Sequence, residues 1–334
     1  MASEIGKKVK VLVTGGAGFI GSHIVDLFIA RDMNVVVVDN LSTGNINNLN
    51  VKAGFYQCDI LSEAFEHVMA KEKPDYVCHH AAQVSVANST KDPEIDAEIN
   101  ITGTLRVIKL CLLHNVAGLI FASSGGTVYG DLKNKNKNLS ALENLPLLPL
   151  SPYGISKVTA EMYLRYFHYE EGLKYIALRY GNVFGPRQRP DGDAGVISIF
   201  ANKMLKKEEL TIHGDGNYFR DYVFVGDVAE VNYKAIQKMQ YINGNKYLIN
   251  GFNSYNIGTN EGTNVNSLFC TLRDIIGYDG FPSYDAARKG DIRLSVLNNK
   301  RAFKILGWKP KISFNEGLML TVSWLACENN GRIF

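Results

Sequence analysis

Tyr153 and Lys157 stand four residues apart in Tyr153-Gly154-Ile155-Ser156-Lys157. On a helix, positions i and i+4 share a face, so a phenol and an ammonium would meet. A free phenol titrates near pH ~10, too high for a base at neutral pH. A nearby positive charge favours the phenolate and would let Tyr153 act as a general base. Pro152 suits the first turn of that helix. Ser123 and Ser124 close an apolar run, Leu119–Ser123. A hydroxyl there could hydrogen-bond a substrate oxygen as it loses its proton. Capping of the strand end is the alternative for both serines.

A second group of residues binds rather than reacts. Gly15-Gly16-Ala17-Gly18-Phe19-Ile20-Gly21 lies between the run Val9–Val13 and the helix-spaced Phe19–Ala30. Glycines at 15, 18 and 21 suit a tight turn, close approach to a pyrophosphate, and helix–strand packing. The helix N-terminus would offer N–H groups and a positive dipole to the phosphates. Asp39 ends the next run, Val35–Val38. A carboxylate there would accept from both ribose hydroxyls and repel a 2′-phosphate, which favours NAD over NADP. Asn40-Leu41-Ser42-Thr43-Gly44 carries no arginine for such a phosphate. Asp39 could instead only cap its strand. Asp59 and Ile60 could meet the adenine edge and face. In His79-His80-Ala81-Ala82 the small residues let backbone approach the cofactor. The paired histidines invite a metal, but no third ligand is evident, and no metal site is expected.

These residues need elements to hold them. Val9–Val13, Val35–Val38, Gly54–Cys58, Tyr76–His79 and Leu119–Ser123 read as strands. Helices are expected at Phe19–Ala30, from Ser62, and from about Pro93 to His114. This rhythm implies an α/β fold: a Rossmann-like, doubly wound parallel sheet with a smaller mixed α/β substrate domain. Residues 1–182 would form the dinucleotide domain, with parts of about 214–245 returning to it. Residues 183–334 would mainly form the substrate domain. There, strands are expected around Leu210–His213 and Tyr218–Phe224, and helices near Asp227–Met239, Asn264–Ile276 and Ser313–Cys327. Asp131–Ser140 reads as a solvated loop.

Composition sets bounds. The 334 residues are 46% hydrophobic and 21% charged, with 36 Lys+Arg against 33 Asp+Glu and a net charge of +3. That balance argues against a nucleic-acid partner. No apolar run is long enough to span a membrane, and no signal-peptide core is seen. The five cysteines are scattered without metal spacing, as in a reducing, cytoplasmic setting.

The chain resembles the extended short-chain dehydrogenases/reductases, most closely the UDP-glucose 4-epimerases. The likeness runs from about Lys10 to Ala326. It rests on TGGAGFIGSH (14–23), HAAQVSV (80–86), SSGGTVYG (123–130), SPYGISK (151–157), LRYGNVFGPRQ (178–188), FRDYVFVGDV (219–228) and RKGD (288–291). The resemblance implies NAD-dependent epimerisation of UDP-hexoses at C4 through a 4-keto sugar. Tyr153 would take the 4-hydroxyl proton, Ser124 would bond that oxygen, and Lys157 would bond the nicotinamide ribose. The cofactor would also touch Gly15, Gly18, Phe19, Ile20, Gly21, Asp39, Asn40, Ser42, Thr43, Gly44, Asp59, Ile60, Ala81, Ala82, Gln83, Asn100, Ser123, Tyr180 and Val183. The UDP-sugar would touch Ser85, Ser124, Asn182, Gly195, Val196, Ile197, Thr211, His213, Arg220, Arg288, Asp291 and Ser295. Arg220 and Arg288 would hold its diphosphate. Ser295 falls where narrow-specificity members carry tyrosine, which leaves room for an N-acetyl group. A homodimer through a four-helix bundle is also implied, from the helices around Asn100–His114 and Tyr153–Glu171. Leu105, Ile108, Leu112, Tyr163, Tyr166 and Phe167 would supply its apolar surface, or could simply be core.

Three rivals remain. A 4,6-dehydratase would carry an Asp-Glu pair where Gly125-Gly126 stand. A decarboxylase or UDP-glucuronate 4-epimerase would need a carboxylate-binding cluster. A non-catalytic NAD sensor would tend to lose Tyr153 or Lys157, and both are present.

Overall fold

Runs of β-branched and aliphatic residues build a sheet buried on both faces. In the computed structural model, which describes residues 8–132, 140–191, 195–241, 253–287 and 291–329, the first half gives β1 (Lys10–Thr14), α1 (Phe19–Ala30), β2 (Asn34–Asp39), β3 (Gly54–Gln57), α2 (Glu63–Glu72), β4 (Tyr76–His79), α3 (Val86–Lys91), α4 (Pro93–Ala97), α5 (Gly103–Leu113), β5 (Gly118–Ser124), α6 (Gly125–Val128), α7 (Pro152–Glu171) and β6 (Tyr175–Tyr180). The second half gives β7 (Asn182–Phe184), α8 (Val196–Leu205), β8 (Thr211–His213), β9 (Phe219–Arg220), β10 (Tyr222–Phe224), α9 (Val225–Tyr241), β11 (Ser254–Ile257), β12 (Thr263–Asn264), α10 (Val265–Ile276), β13 (Ser283–Asp285), β14 (Leu294–Ser295), α11 (Lys300–Leu306) and α12 (Phe314–Asn329). Arg288 and most of the 131–140 loop lie outside the described residues.

The large sheet has seven parallel strands in the order β11-β6-β5-β4-β1-β2-β3. Alternate residues feed opposite faces. Val11, Val13, Val35 and Val37 pack with Ile24 and Phe28 of α1 and with Val228 and Val231 of α9. Leu12, Val36, Val38 and Val77 pack with Phe65 of α2, Val107 of α5 and Leu164 of α7. The strand order reverses between β1 and β4, and ligands of such sheets bind at that point.

The expected helix from Pro93 to His114 is not uniform. A π-helical turn, Glu98–Thr102, joins α4 to α5. In the second lobe, α8, α10 and α12 bury Phe200, Met204, Leu268, Leu272 and Leu318 around Phe184 and Ile212. Among the described residues, no helix is long and apolar enough to cross a membrane.

Candidate active site

At the turn between β1 and α1 the glycines have separate duties. Gly15 has φ +71°, and a Cβ there would stand 2.7 Å from the Ala81 nitrogen. A Cβ on Gly21 would stand 2.1 Å from the Gly15 carbonyl oxygen. The turn therefore packs against β4 on one side and its own helix on the other. No side chain caps α1, and its first turn holds no acid. Its first N–H groups remain for an anionic ligand. A dinucleotide diphosphate fits this cradle.

Asp39 ends β2 and is 7% exposed. Its carboxylate accepts from the Ala17 N–H at 3.0 Å and the Leu41 N–H at 2.8 Å. It thus caps the strand and ties it to the glycine turn. A Cβ on Gly44 would come within 2.8 Å of the same carboxylate. Asn40 donates to Asp59 at 2.7 Å, which joins the ends of β2 and β3. Ser42 and Thr43 are exposed beside them. Ile60 is instead packed beneath α5, where a Cβ on Gly103 would stand 2.7 Å from it.

The two histidines face separate partners. His79 lies between the Thr14 hydroxyl at 2.8 Å and the Thr104 hydroxyl at 3.1 Å. His80 meets the Tyr180 hydroxyl at 3.0 Å. Burial pushes both imidazoles down to about 3, so they are neutral. Tyr180 is 5% exposed, and its hydroxyl also accepts from Asn232 at 2.9 Å. Its polar end is thus engaged inside the core. Asn100, on the π-helical turn, accepts from the Gln83 N–H at 3.0 Å and donates to the Gln83 carbonyl at 2.9 Å. It fixes the loop after Ala81 and Ala82. Ser85 caps α3 by accepting from the Asn88 N–H.

The reactive groups converge between α7 and the end of β5. Ser151 caps α7 and Pro152 occupies its first turn. Lys157, 4% exposed, donates to the Ala122 carbonyl at 3.0 Å, with its Nζ 5.6 Å from the Tyr153 ring centre. The adjacent serines divide because a strand alternates sides. Ser123 donates to the buried Glu161 carboxylate, while Ser124 is hydrogen-bonded to Tyr153. A Cβ on Gly126 would lie 3.6 Å from the Asn182 amide oxygen and 3.9 Å from the Ser124 hydroxyl. Asn182, Ser124 and Gly126 therefore share one small space. Val183 follows on β7, half-buried.

Burial pushes the Tyr153 phenol up to about 12; the Ser124 bond opposes this and the Asp96 charge adds to it. Burial also brings Lys157 down to about 8, against the pull of Asp96 and Glu161. The protein's own groups leave the phenol protonated at neutral pH, so the lysine alone does not make it a base.

Toward the second lobe, Ser295 on β14 pairs with Arg220 on β9. Asp291 meets the Arg220 guanidinium at 3.3 Å. The Asp221 N–H donates to the Ser295 carbonyl, and the Asn182 N–H to the Asp221 carbonyl. These contacts bring Arg220, Asp291, Ser295 and Asn182 together. Gly195 begins α8; Val196 is half-buried, but the Ile197 side chain, 1% exposed, belongs to the lobe's core. Thr211 and His213 lie on β8, whose partner is β13 rather than β9.

Sequence reasoning passed over the buried polar residues behind the site. Glu161 accepts from Ser123, from Ser254 at 2.7 Å, and from Arg179 at 2.6 Å. Asp96 accepts from Ser156, Gln83 and Asn100. Glu161 was findable, since it continues the helical face of Tyr153 and Lys157. Asp96 had no such signal.

A parallel sheet with a glycine turn at its switch point and a Tyr–Lys pair beside a strand-end serine defines an extended short-chain dehydrogenase/reductase. The profile of the NAD dependent epimerase/dehydratase family matches residues 11–258, and the chain belongs to that family. It is similar to a UDP-glucose 4-epimerase of Thermotoga maritima solved with UDP-glucose, at 46% identity and TM-score 0.89, over 96% of this chain and 100% of that one. It is also similar to a Thermus thermophilus UDP-glucose 4-epimerase solved with NAD, at 39% identity and TM-score 0.84, over 95% and 99%. A UDP-N-acetylglucosamine 4-epimerase of Methanobrevibacter ruminantium, solved with UDP-N-acetylmuramic acid, shares 35% identity and TM-score 0.86, over 97% and 100%.

Proposed function

We propose that this chain is a UDP-glucose 4-epimerase, inverting C4 of a UDP-hexose through a 4-keto sugar. The convergence of Tyr153, Ser124 and Lys157 beside Asn182 carries the reading. The α1 N-terminus holds the diphosphate of NAD, Asp39 its adenosine ribose, and Lys157 its nicotinamide ribose. When bound there, NAD would supply a hydride acceptor and donor for C4, and its oxidised ring would add to the positive charge of Lys157 beside Tyr153. Tyr153 removes the 4-hydroxyl proton and gives it back, while Ser124 hydrogen-bonds the same oxygen. Arg220, with Arg288, holds the UDP diphosphate.

The test offers the purified protein UDP-galactose, UDP-N-acetylgalactosamine and UDP-galacturonate separately and follows C4 inversion. Tyr153→Phe should keep NAD and lose turnover by orders of magnitude. No inversion of any substrate with NAD bound would overturn the reading. The small, buried Ser295 further favours acceptance of N-acetylated sugars. Equal preference in wild type and Ser295→Tyr would refute that.

A homodimer is the second part of the proposal. Ile155, Met162, Tyr163, Tyr166 and Tyr169 expose one face of α7, and Ile95 of α4 is exposed as well. Ile108, in contrast, is fully buried in the protomer core, and Leu105 and Leu112 are half-buried. The pairing surface is therefore assigned mainly to α7. A cytoplasmic location suits five cysteines that all stand as free thiols.

A further inference from the structure

Lys157 and Asp96 are buried opposite charges joined through α7, where Ser156, bonded to Asp96, directly precedes Lys157. Asp96 is 0% exposed and sits on α4. Its three hydrogen-bond donors, Ser156, Gln83 at 2.8 Å and Asn100 at 3.0 Å, are all neutral. A buried carboxylate with only neutral donors carries an uncompensated charge, which is costly. Lys157 has the converse problem. Its hydrogen-bond partner is the neutral Ala122 carbonyl, and its Nζ lies over the Phe121 ring at 5.0 Å.

Other charged or titratable groups face the lysine. Glu161 lies one turn further along α7, but Arg179 grips it with both Nε and Nη2 and offsets most of its charge. His79 and His80 of β4 are neutral. Tyr153 is protonated in the protein alone. Among the described residues, that leaves one buried anion near Lys157 with no cation of its own.

The geometry points to Asp96 as the counter-charge of Lys157, a positioning residue that keeps the ammonium protonated and anchors its helix through Ser156. The inference rests on the roles proposed for Tyr153 and Lys157. Its electrostatic sign is definite. Removing the carboxylate withdraws support from the ammonium and also removes repulsion from the Tyr153 phenolate. Both groups then titrate at lower pH, so the whole activity profile moves to the acid side. A loosened helix would lower the rate without moving the profile.

The experiment measures kcat against pH for wild type, Asp96→Asn and Ser156→Ala, each checked for retained NAD by its absorbance. Asp96→Asn should shift both limbs about one pH unit toward acid and lower turnover above pH 8. Ser156→Ala breaks the hydrogen bond but leaves the charge, and its limbs should stay at the wild-type pH. An unshifted Asp96→Asn profile, or an equal shift in Ser156→Ala, overturns the inference. If Asp96→Asn does not fold, the double variant Asp96→Asn/Ser156→Asp restores a carboxylate across the same contact. Its limbs should match wild type, and a displaced profile would overturn the idea. Failure of the catalytic reading appears separately, as turnover that survives Tyr153→Phe.

Discussion

Glu161→Gln removes one charge from the buried network behind Ser123 and leaves its size unchanged. Arg179 is 1% exposed and Glu161 7%. The Arg179 guanidinium would lose its only carboxylate partner among the described residues while keeping a 2.7 Å bond to the Tyr129 hydroxyl. Breaking a buried pair from one side costs about 3–5 kcal/mol. The amide end of glutamine adds to this, because it donates where Arg179, Ser123 or Ser254 also donate. The expected loss is ~4 kcal/mol, or roughly 6 °C in melting temperature for a chain of this size. Thermal and urea unfolding would measure it. Glu161→Met/Arg179→Met removes both charges together and should be less damaging than Glu161→Gln alone. A single variant within ~1 kcal/mol of wild type, or a double variant as poor as both singles added, would refute the argument.

Other outcomes follow from particular contacts. A Cβ on Gly125 would stand 2.4 Å from a Leu297 methyl; Gly125→Ala should cost ~1–3 kcal/mol and lower kcat by displacing Ser124, seen in melting and turnover together. Gly15→Ala, with φ +71° and no space beside Ala81, should abolish NAD retention on gel filtration. His79 is held near 3 in the folded state against ~6.5 unfolded. Its folded pKa is lowered, so stability falls as pH drops below ~6.5, by up to ~1.4 kcal/mol per pH unit, and His80, lowered to about 3 as well, acts in the same direction. Urea midpoints that stay flat between pH 7 and 5 would contradict this.

Much of the fold could be read because its signals are local. Phe19–Ala30 and Tyr76–His79 occupy the spans that their apolar spacing indicated. Tyr153 and Lys157 were legible because four residues on one helix already fix a geometry. Contacts across the chain left no such trace. Asp96 meets Ser156 over 60 residues, and nothing in Pro93–Ala97 marks that aspartate as buried rather than solvated. The choice between Ser123 and Ser124 depended on Glu161, which lies 38 residues past Ser123. The π-helical turn that aims Asn100 at Gln83 has no apolar period of its own. Ser254–Ile257 is a four-residue run whose place in the large sheet depends on distant β6.

That last strand bears on how the molecule is made. β6 emerges from the ribosome well before β11, its neighbour on the sheet's outer side. Until Ser254–Ile257 follows, Tyr175–Tyr180 presents an unpaired, largely apolar edge of the kind that recruits other chains. Ser254 also brings one of the hydroxyls that satisfy Glu161. The nucleotide half thus reaches its final form only after most of the chain has been translated. A fragment ending at β6 should aggregate rather than stand as a smaller cofactor-binding protein.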